Sequence, residues 1–177
     1  GIAFTLTVNG VGFVSGAVVR WNGTGRPTTF AGATQLTALI SASDIQAAGL
    51  VAITVVNPGA GAGTSAPANF PINNPVPTVN NINPASTIIG TNAFTLAVNG
   101  SNFVNGSVVR VNGTDRATTF VSSTGLTVQI TAADLQSSGV RPVAVFNPAP
   151  GGGLSTAVLL TIANPVPTLA SVLPAST

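Results

Sequence analysis

Eight side chains in this 177-residue chain carry charge: Arg20, Arg26, Arg110, Arg116 and Arg141, and Asp44, Asp115 and Asp134. They are the whole inventory for acid–base chemistry, because His, Cys, Lys, Glu and Tyr are all absent. Without His or Cys there is no zinc, haem or thiolate site and no Ser-His-Asp triad. Without Lys there is no Schiff base, no P-loop lysine and no Lys–Asn isopeptide crosslink. Asp44 and Asp134 are the obvious carboxylates, but they stand 90 residues apart in separate repeats and cannot form a glycosidase pair within one domain. Each closes a Ser/Thr-x-x-Asp pattern, Ser41 to Asp44 and Thr131 to Asp134, which predicts a capping box at a short helical turn. Asp115 sits in a turn beside Arg116 and reads as a solvated pair of little energetic worth. No cluster of oxygen ligands suggests calcium. Gly61 and Gly63, with Gly151–Gly153, are followed by no Lys and read as flexible loop rather than phosphate cradle. The expectation is a protein with no catalytic residue, no cofactor and no metal.

The composition around those residues narrows the class. Charged residues make up 5% of the chain, against about 25% in ordinary soluble domains. A net charge of +2 cannot build the field a nucleic acid would need. Hydrophobic residues reach 45%, so the abundant Gly and Pro do not signal disorder. No apolar run approaches the roughly 18 residues of a membrane helix, so membrane insertion is not expected. The absence of Cys rules out disulfides and leaves stability to packing and hydrogen bonds. With no signal peptide and no initiator Met, the chain is expected to start downstream of any targeting segment.

These residues are positioned by an internal repeat. Ala3-Phe4-Thr5-Leu6 recurs as Ala93-Phe94-Thr95-Leu96, and the same offset of 90 carries Val18-Val19-Arg20 onto Val108-Val109-Arg110. It carries Asn74-Pro75-Val76-Pro77-Thr78 onto Asn164-Pro165-Val166-Pro167-Thr168 without a gap. A period of this length fits one small sandwich domain rather than a solenoid unit. The expected organisation is a first repeat over 1–73 lacking its opening strand and a complete second repeat over 74–164. Residues 165–177 then form an opening strand for a following repeat or a donor strand for the next subunit.

In the second repeat, strands are expected over 77–82, 94–98, 107–111, 117–121, 126–130, 143–146 and 157–162, with Asn99-Gly100 and Asn112-Gly113 as turns. About seven short strands with frequent turn signals predict an all-β, immunoglobulin-like sandwich in each repeat. Alternation points Phe94, Leu96, Val98, Val109, Val111, Leu126, Val128 and Ile130 inward. Trp21 takes the place of Val111 in the first repeat and reads as a core residue.

The run Val98-Asn99-Gly100-x-x-Phe103-Val104-x-Gly106-Ser107-Val108-Val109-Arg110-Val111-Asn112-Gly113 resembles the signature of IPT/TIG domains. The Asn147–Gly153 stretch and the Asn-Pro-Val-Pro-Thr opening are similar to bacterial members. The resemblance covers both repeats. It implies an immunoglobulin-like fold found in bacterial surface proteins, in accessory modules of polysaccharide-active enzymes, and in plexins and some transcription factors. It brings no catalytic residue, and the basic loops of the DNA-binding members are missing.

Arg20 and Arg110 lie mid-strand on the face opposite the inferred core. They read either as solvated or locally paired residues or as a repeated contact to a neighbouring subunit or a glycan. Asn22, Asn99, Asn105 and Asn112 match the glycosylation sequon, although Asn-Gly turn chemistry alone accounts for all four. So uncharged and apolar a surface is expected to be covered by other copies. The expected function is a secreted structural protein of an extracellular filament, sheath or surface array, with itself as partner. Pro165, Val166, Pro167, Leu169, Val172 and Leu173 are the tail contacts of that assembly. The alternative is an adhesin stalk or a carbohydrate-binding accessory module, with glycans as partners.

Overall fold

Alternation of apolar and polar residues makes strands such as those over 35–40, 94–98 and 126–130 one-sided, and such strands are stable as two sheets with their apolar faces together. The computed structural model describes residues 1–60 and 63–173. The chain divides into two compact units, Gly1–Asn74 with Ala149–Gly151, and Pro75–Pro148 with the residues from Gly152 onward.

The first unit contains β1 (Phe4–Asn9), β2 (Val18–Trp21), β3 (Thr24–Gly25), β4 (Thr28–Gly32), β5 (Gln35–Ile40), β6 (Gly49–Val56) and β7 (Ala68–Ile72). One sheet has the order β1-β5-β4 and the other β3-β2-β6-β7, all neighbours antiparallel. Val19 and Trp21 from β2, Leu36, Ala38 and Ile40 from β5, and Val51, Ile53 and Val55 from β6 meet in one buried cluster. Trp21 stacks obliquely on Phe70, with centroids 5.4 Å apart, and Phe70 in turn stacks on Phe4 at 5.8 Å. Trp21 is a core residue, as its strand position indicates.

The second unit contains β8 (Thr78–Asn83), β9 (Ser86–Ile88), β10 (Phe94–Ser101), β11 (Val108–Val111), β12 (Thr114–Arg116), β13 (Thr118–Ser122) and β14 (Gly125–Ile130). It continues with β15 (Gly139–Asn147), β16 (Gly153–Leu154) and β17 (Val158–Ala163). Its sheets run β13-β14-β10-β8 and β12-β11-β15-β17-β9, with β16 on the end of β15. Leu96, Val98, Val109, Val111, Leu126, Val128 and Ile130 are all buried in its core, and Phe94 packs at its margin. Both units are all-β immunoglobulin-like sandwiches, and no α-helix occurs among the described residues.

Two local readings are corrected. Asn99-Gly100 is not a turn: β10 runs through it to Ser101, and the dipeptide marks a bulge in the β8–β10 pairing. Gly is required there because a methyl group would overlap the Thr78 carbonyl oxygen. The Gly151–Gly153 run is a tight turn rather than a loose loop. All three residues have positive φ, and a side chain on Gly152 would overlap the carbonyls of Asn147 and Pro148. Gly61 lies outside the described residues.

Candidate assembly surface

The repeated carboxylates are structural clasps. Asp44 Oδ2 accepts from the amide of Ser41 at 3.0 Å and its hydroxyl at 2.7 Å, at the start of a 3-10 turn over Ala42–Ile45. Arg26 then grips the same carboxylate with both Nε and Nη2. In the second unit, Asp134 Oδ2 accepts from the amide and hydroxyl of Thr131 at 2.9 and 2.7 Å, and Arg116 Nη2 donates to Oδ1 at 2.5 Å. Arg116 Nε is left buried without a partner, so this second clasp is the looser one. The Ser41 hydroxyl, Arg26 and the Ser41 amide hold the Asp44 carboxyl below its ordinary pKa. Burial pushes the Asp134 carboxyl up, but the Thr131 hydroxyl and amide and Arg116 outweigh it and hold that carboxyl down as well.

Asp115 pairs with a different arginine from the one beside it. Its Oδ1 accepts from Arg110 Nε at 2.5 Å across the β11–β12 ladder, while Arg116 turns to Asp134. The reason is strand alternation, which sends Asp115 and Arg116 to opposite faces. The Arg110 guanidinium also lies 4.6 Å from the centroid of the Phe146 ring. Arg110 is thus locally satisfied. Its counterpart Arg20 has Gly25 opposite in the ladder where Arg110 has Asp115, and the position equivalent to Phe146 holds Val56. Arg20 is exposed and makes no ion pair among the described residues, beside a shallow groove lined by Gly16, Gly25, Val56 and Pro58.

The four sequon asparagines are all exposed. Asn22 and Asn112 adopt positive φ, 49° and 52°, in equivalent turns. Asn105 precedes Gly106 (φ 101°) in another, and Asn99 donates across the bulge to Asn81 Oδ1 at 2.9 Å. The hydroxyl of Ser107, third in the Asn105 sequon, is buried: it donates to Asn147 Oδ1 at 2.6 Å and accepts from the Val104 amide at 2.8 Å.

Asn147 is the hub that sequence reading missed. Fully buried, it donates through Nδ2 to the carbonyls of Pro75 (2.9 Å) and Asn102 (2.7 Å), tying the Pro-rich opening segment to the sandwich. Its partners lie 40, 72 and 45 residues away, so no local pattern announces it. In the first unit Asn57 occupies this place. Its Nδ2 reaches the Gly12 carbonyl at 2.8 Å, but Ala17 replaces Ser107 and Asn57 Oδ1 is buried with no partner.

Large apolar side chains stand in the open over both units. Leu39, Leu50, Phe30, Phe120, Val121 and Leu159 are all exposed. Phe30 and Phe120 occupy the same position on β4 and β13, the outermost strands of their sheets. After β17, residues 164–173 form no strand, and Pro165 and Pro167 are exposed there together with Val166, Leu169, Val172 and Leu173. Residues 174–177 of the expected donor segment lie outside the described residues. No described helix is long and apolar enough to cross a membrane.

No curated protein matches the chain. Among solved structures it is similar to the amphioxus IgVJ-C2 molecule, at 14% identity over 92% of this chain and 97% of that one, with a TM-score of 0.45. It is similar to the plexin A4 extracellular region at 17% identity, 76% and 12% coverage, and a TM-score of 0.30. It is also similar to SGBP-B of the Bacteroides ovatus mixed-linkage glucan utilization locus, solved with a mixed-linkage heptasaccharide. That likeness has 15% identity, covers 91% of this chain and 42% of the other, and has a TM-score of 0.32. The IPT/TIG domain model matches residues 2–72 and again 77–162. With both sandwiches covered by that match, the chain belongs to the IPT/TIG domain family, as a tandem pair of its domains.

Proposed function

We propose that this chain is a structural building unit of an extracellular filament, sheath or surface array on a bacterium, assembled by end-to-end and lateral packing of its sandwiches. The observation that carries this reading is the surface. Leu39, Leu50, Phe30, Phe120, Val121 and Leu159 face solvent on a chain with 5% charged residues. Exposed apolar side chains on so uncharged a surface support a contact role, and few charges oppose the close approach of identical copies. Extracellular placement accords with the family, whose domains typically stand in extracellular and surface proteins. The reading gives the chain no enzymatic role and no cofactor. Its partner is itself.

Sedimentation velocity and electron microscopy of the purified chain test this. Ordered, concentration-dependent polymers are expected. A chain that stays monomeric at millimolar concentration would refute the reading. Glycan-array binding by such a monomer would favour a carbohydrate-binding module or adhesin stalk instead, with Phe30 and its equivalent Phe120, each on its own unit, as the first residues to test.

A further inference from the structure

Arg20 is the one arginine whose guanidinium makes no hydrogen bond and no ion pair among the described residues. Arg26 and Arg116 close on Asp44 and Asp134, and Arg110 holds Asp115. Arg141 donates to the carbonyl and the hydroxyl of Ser137 at 3.2 and 2.7 Å. One carboxylate oxygen is likewise free. Asp44 and Asp134 engage both oxygens, and their side chains are 14% exposed. Asp115 Oδ2 accepts no hydrogen bond among the described residues, and its side chain is 60% exposed. These two groups belong to equivalent places. Arg110 faces Asp115 across the β11–β12 ladder, whereas Arg20 faces Gly25 across the β2–β3 ladder. The first unit thus has the cation of the pair without its anion, beside a shallow groove lined by Gly16, Val18, Gly23, Gly25, Val56 and Pro58. A Cβ at Gly23 would have nothing within 4 Å, so the approach is open. In the second unit β8 and β9 pair with β10 and β17, not with β11 or β12. Opening strands in the equivalent places of the first unit would therefore leave the Arg20 face clear.

We propose that the Arg20 groove of one copy docks the β11–β12 hairpin of a second copy, whose Asp115 Oδ2 accepts from the Arg20 guanidinium. This rests on the assembly reading above and names one contact within it. The docked carboxylate reproduces between copies the pairing that the second unit makes within itself. The hairpin is shaped to deliver it: Asn112, Gly113, Thr114 and Asp115 are exposed in succession, and Asn112 and Gly113 turn the chain sharply with φ of 52° and 79°. Asp115 Oδ1 keeps Arg110, so one carboxylate bridges two guanidinium groups. A second copy is the occupant that the charges favour, because the chain carries the free donor and the free acceptor in equal number. Each copy holds both halves of the contact, so head-to-tail repetition builds a row. Complementary charges fix register and exclude wrong pairings more than they add affinity. Cohesion is left to exposed apolar side chains, among them Val18 at the groove.

The test is a charge swap read by light scattering and sedimentation velocity, with Arg20→Glu and Asp115→Lys made separately in the full chain. Each variant alone sets like charges against each other at the contact. Each is expected to raise the concentration needed for assembly about tenfold or more. Mixed in equal amounts, the two variants pair opposite charges at every joint, and assembly at the wild-type concentration is expected. Damage inside either chain would not be repaired by mixing. Arg141→Glu is the control: it changes net charge as Arg20→Glu does and is expected to leave assembly unchanged. Single variants that assemble like wild type, a mixture that stays dispersed, or an Arg141→Glu loss equal to that of Arg20→Glu would each overturn the proposal. In those cases the assembly reading stands as long as the wild-type chain polymerises. If the wild-type chain does not associate at all, the assembly reading itself falls, and this contact with it.

Discussion

Exchanging Ala17 and Ser107 between the two sandwiches should redistribute stability in opposite directions. The Ser107 hydroxyl satisfies the buried Asn147 Oδ1 and the part-buried Val104 amide. Ser107→Ala leaves both unpaired; the buried oxygen costs about 1–3 kcal/mol and the part-buried amide about 1 kcal/mol, so a loss of roughly 2–4 kcal/mol is expected. In the first unit the defect already exists, because Ala17 sits below a partnerless Asn57 Oδ1. The backbone there is the same, with the Ala17 amide donating to Val14 O at 3.0 Å and Ser107 to Val104 O at 2.9 Å. Ala17→Ser should therefore place its hydroxyl on Asn57 and gain about 0.5–1.5 kcal/mol. Native-state amide exchange on the whole chain separates the two units. The Val104 amide should exchange faster in Ser107→Ala, and the Val14 amide more slowly in Ala17→Ser. A destabilising Ala17→Ser, or a Ser107→Ala indistinguishable from wild type, would refute the assignment of Asn57 and Asn147 to equivalent roles.

Two further outcomes follow from the geometry. The carboxyls of Asp44 and Asp134 are held below their ordinary values, so the unfolded chain binds protons before the folded one does. Their contribution is complete above the unfolded value of about 3.9 and is lost as pH falls through the folded values. Asp44→Asn together with Asp134→Asn should lower the melting temperature at neutral pH and flatten its fall in acid, as a thermal melt at stepped pH would record. Gly100→Ala should drive the new methyl into the Thr78 carbonyl, at a cost of about 1–3 kcal/mol. Its signature is faster amide exchange along β8, with β11 and β15 unaffected.

The sequence announced whatever depends on near neighbours along the chain. Alternation placed Leu96, Val98, Val109 and Trp21 in the cores, and the Ser41–Asp44 and Thr131–Asp134 spacings located both 3-10 turns. It did not show that Arg26 and Arg116 close on those same aspartates, because that contact joins residues 18 apart that only the folded chain brings together. A signal existed nonetheless: Arg and Asp recur at this spacing in both repeats, on a chain with very few charges. The Asn99-Gly100 bulge was hidden for another reason. Asn-Gly is the natural turn dipeptide, and only the approach of Thr78 shows that Gly serves here to admit a backbone.

The three ion pairs have a consequence for the material this chain would build. They neutralise every aspartate and three of the five arginines, leaving only Arg20 and Arg141 outside an ion pair among the described residues. The chain has no imidazole and no thiol, the side-chain types whose ordinary values lie between about pH 5 and pH 9. Neither added electrolyte nor mild acid or base then has much to act on. Cohesion between copies would instead follow temperature, weakening on cooling as apolar association does.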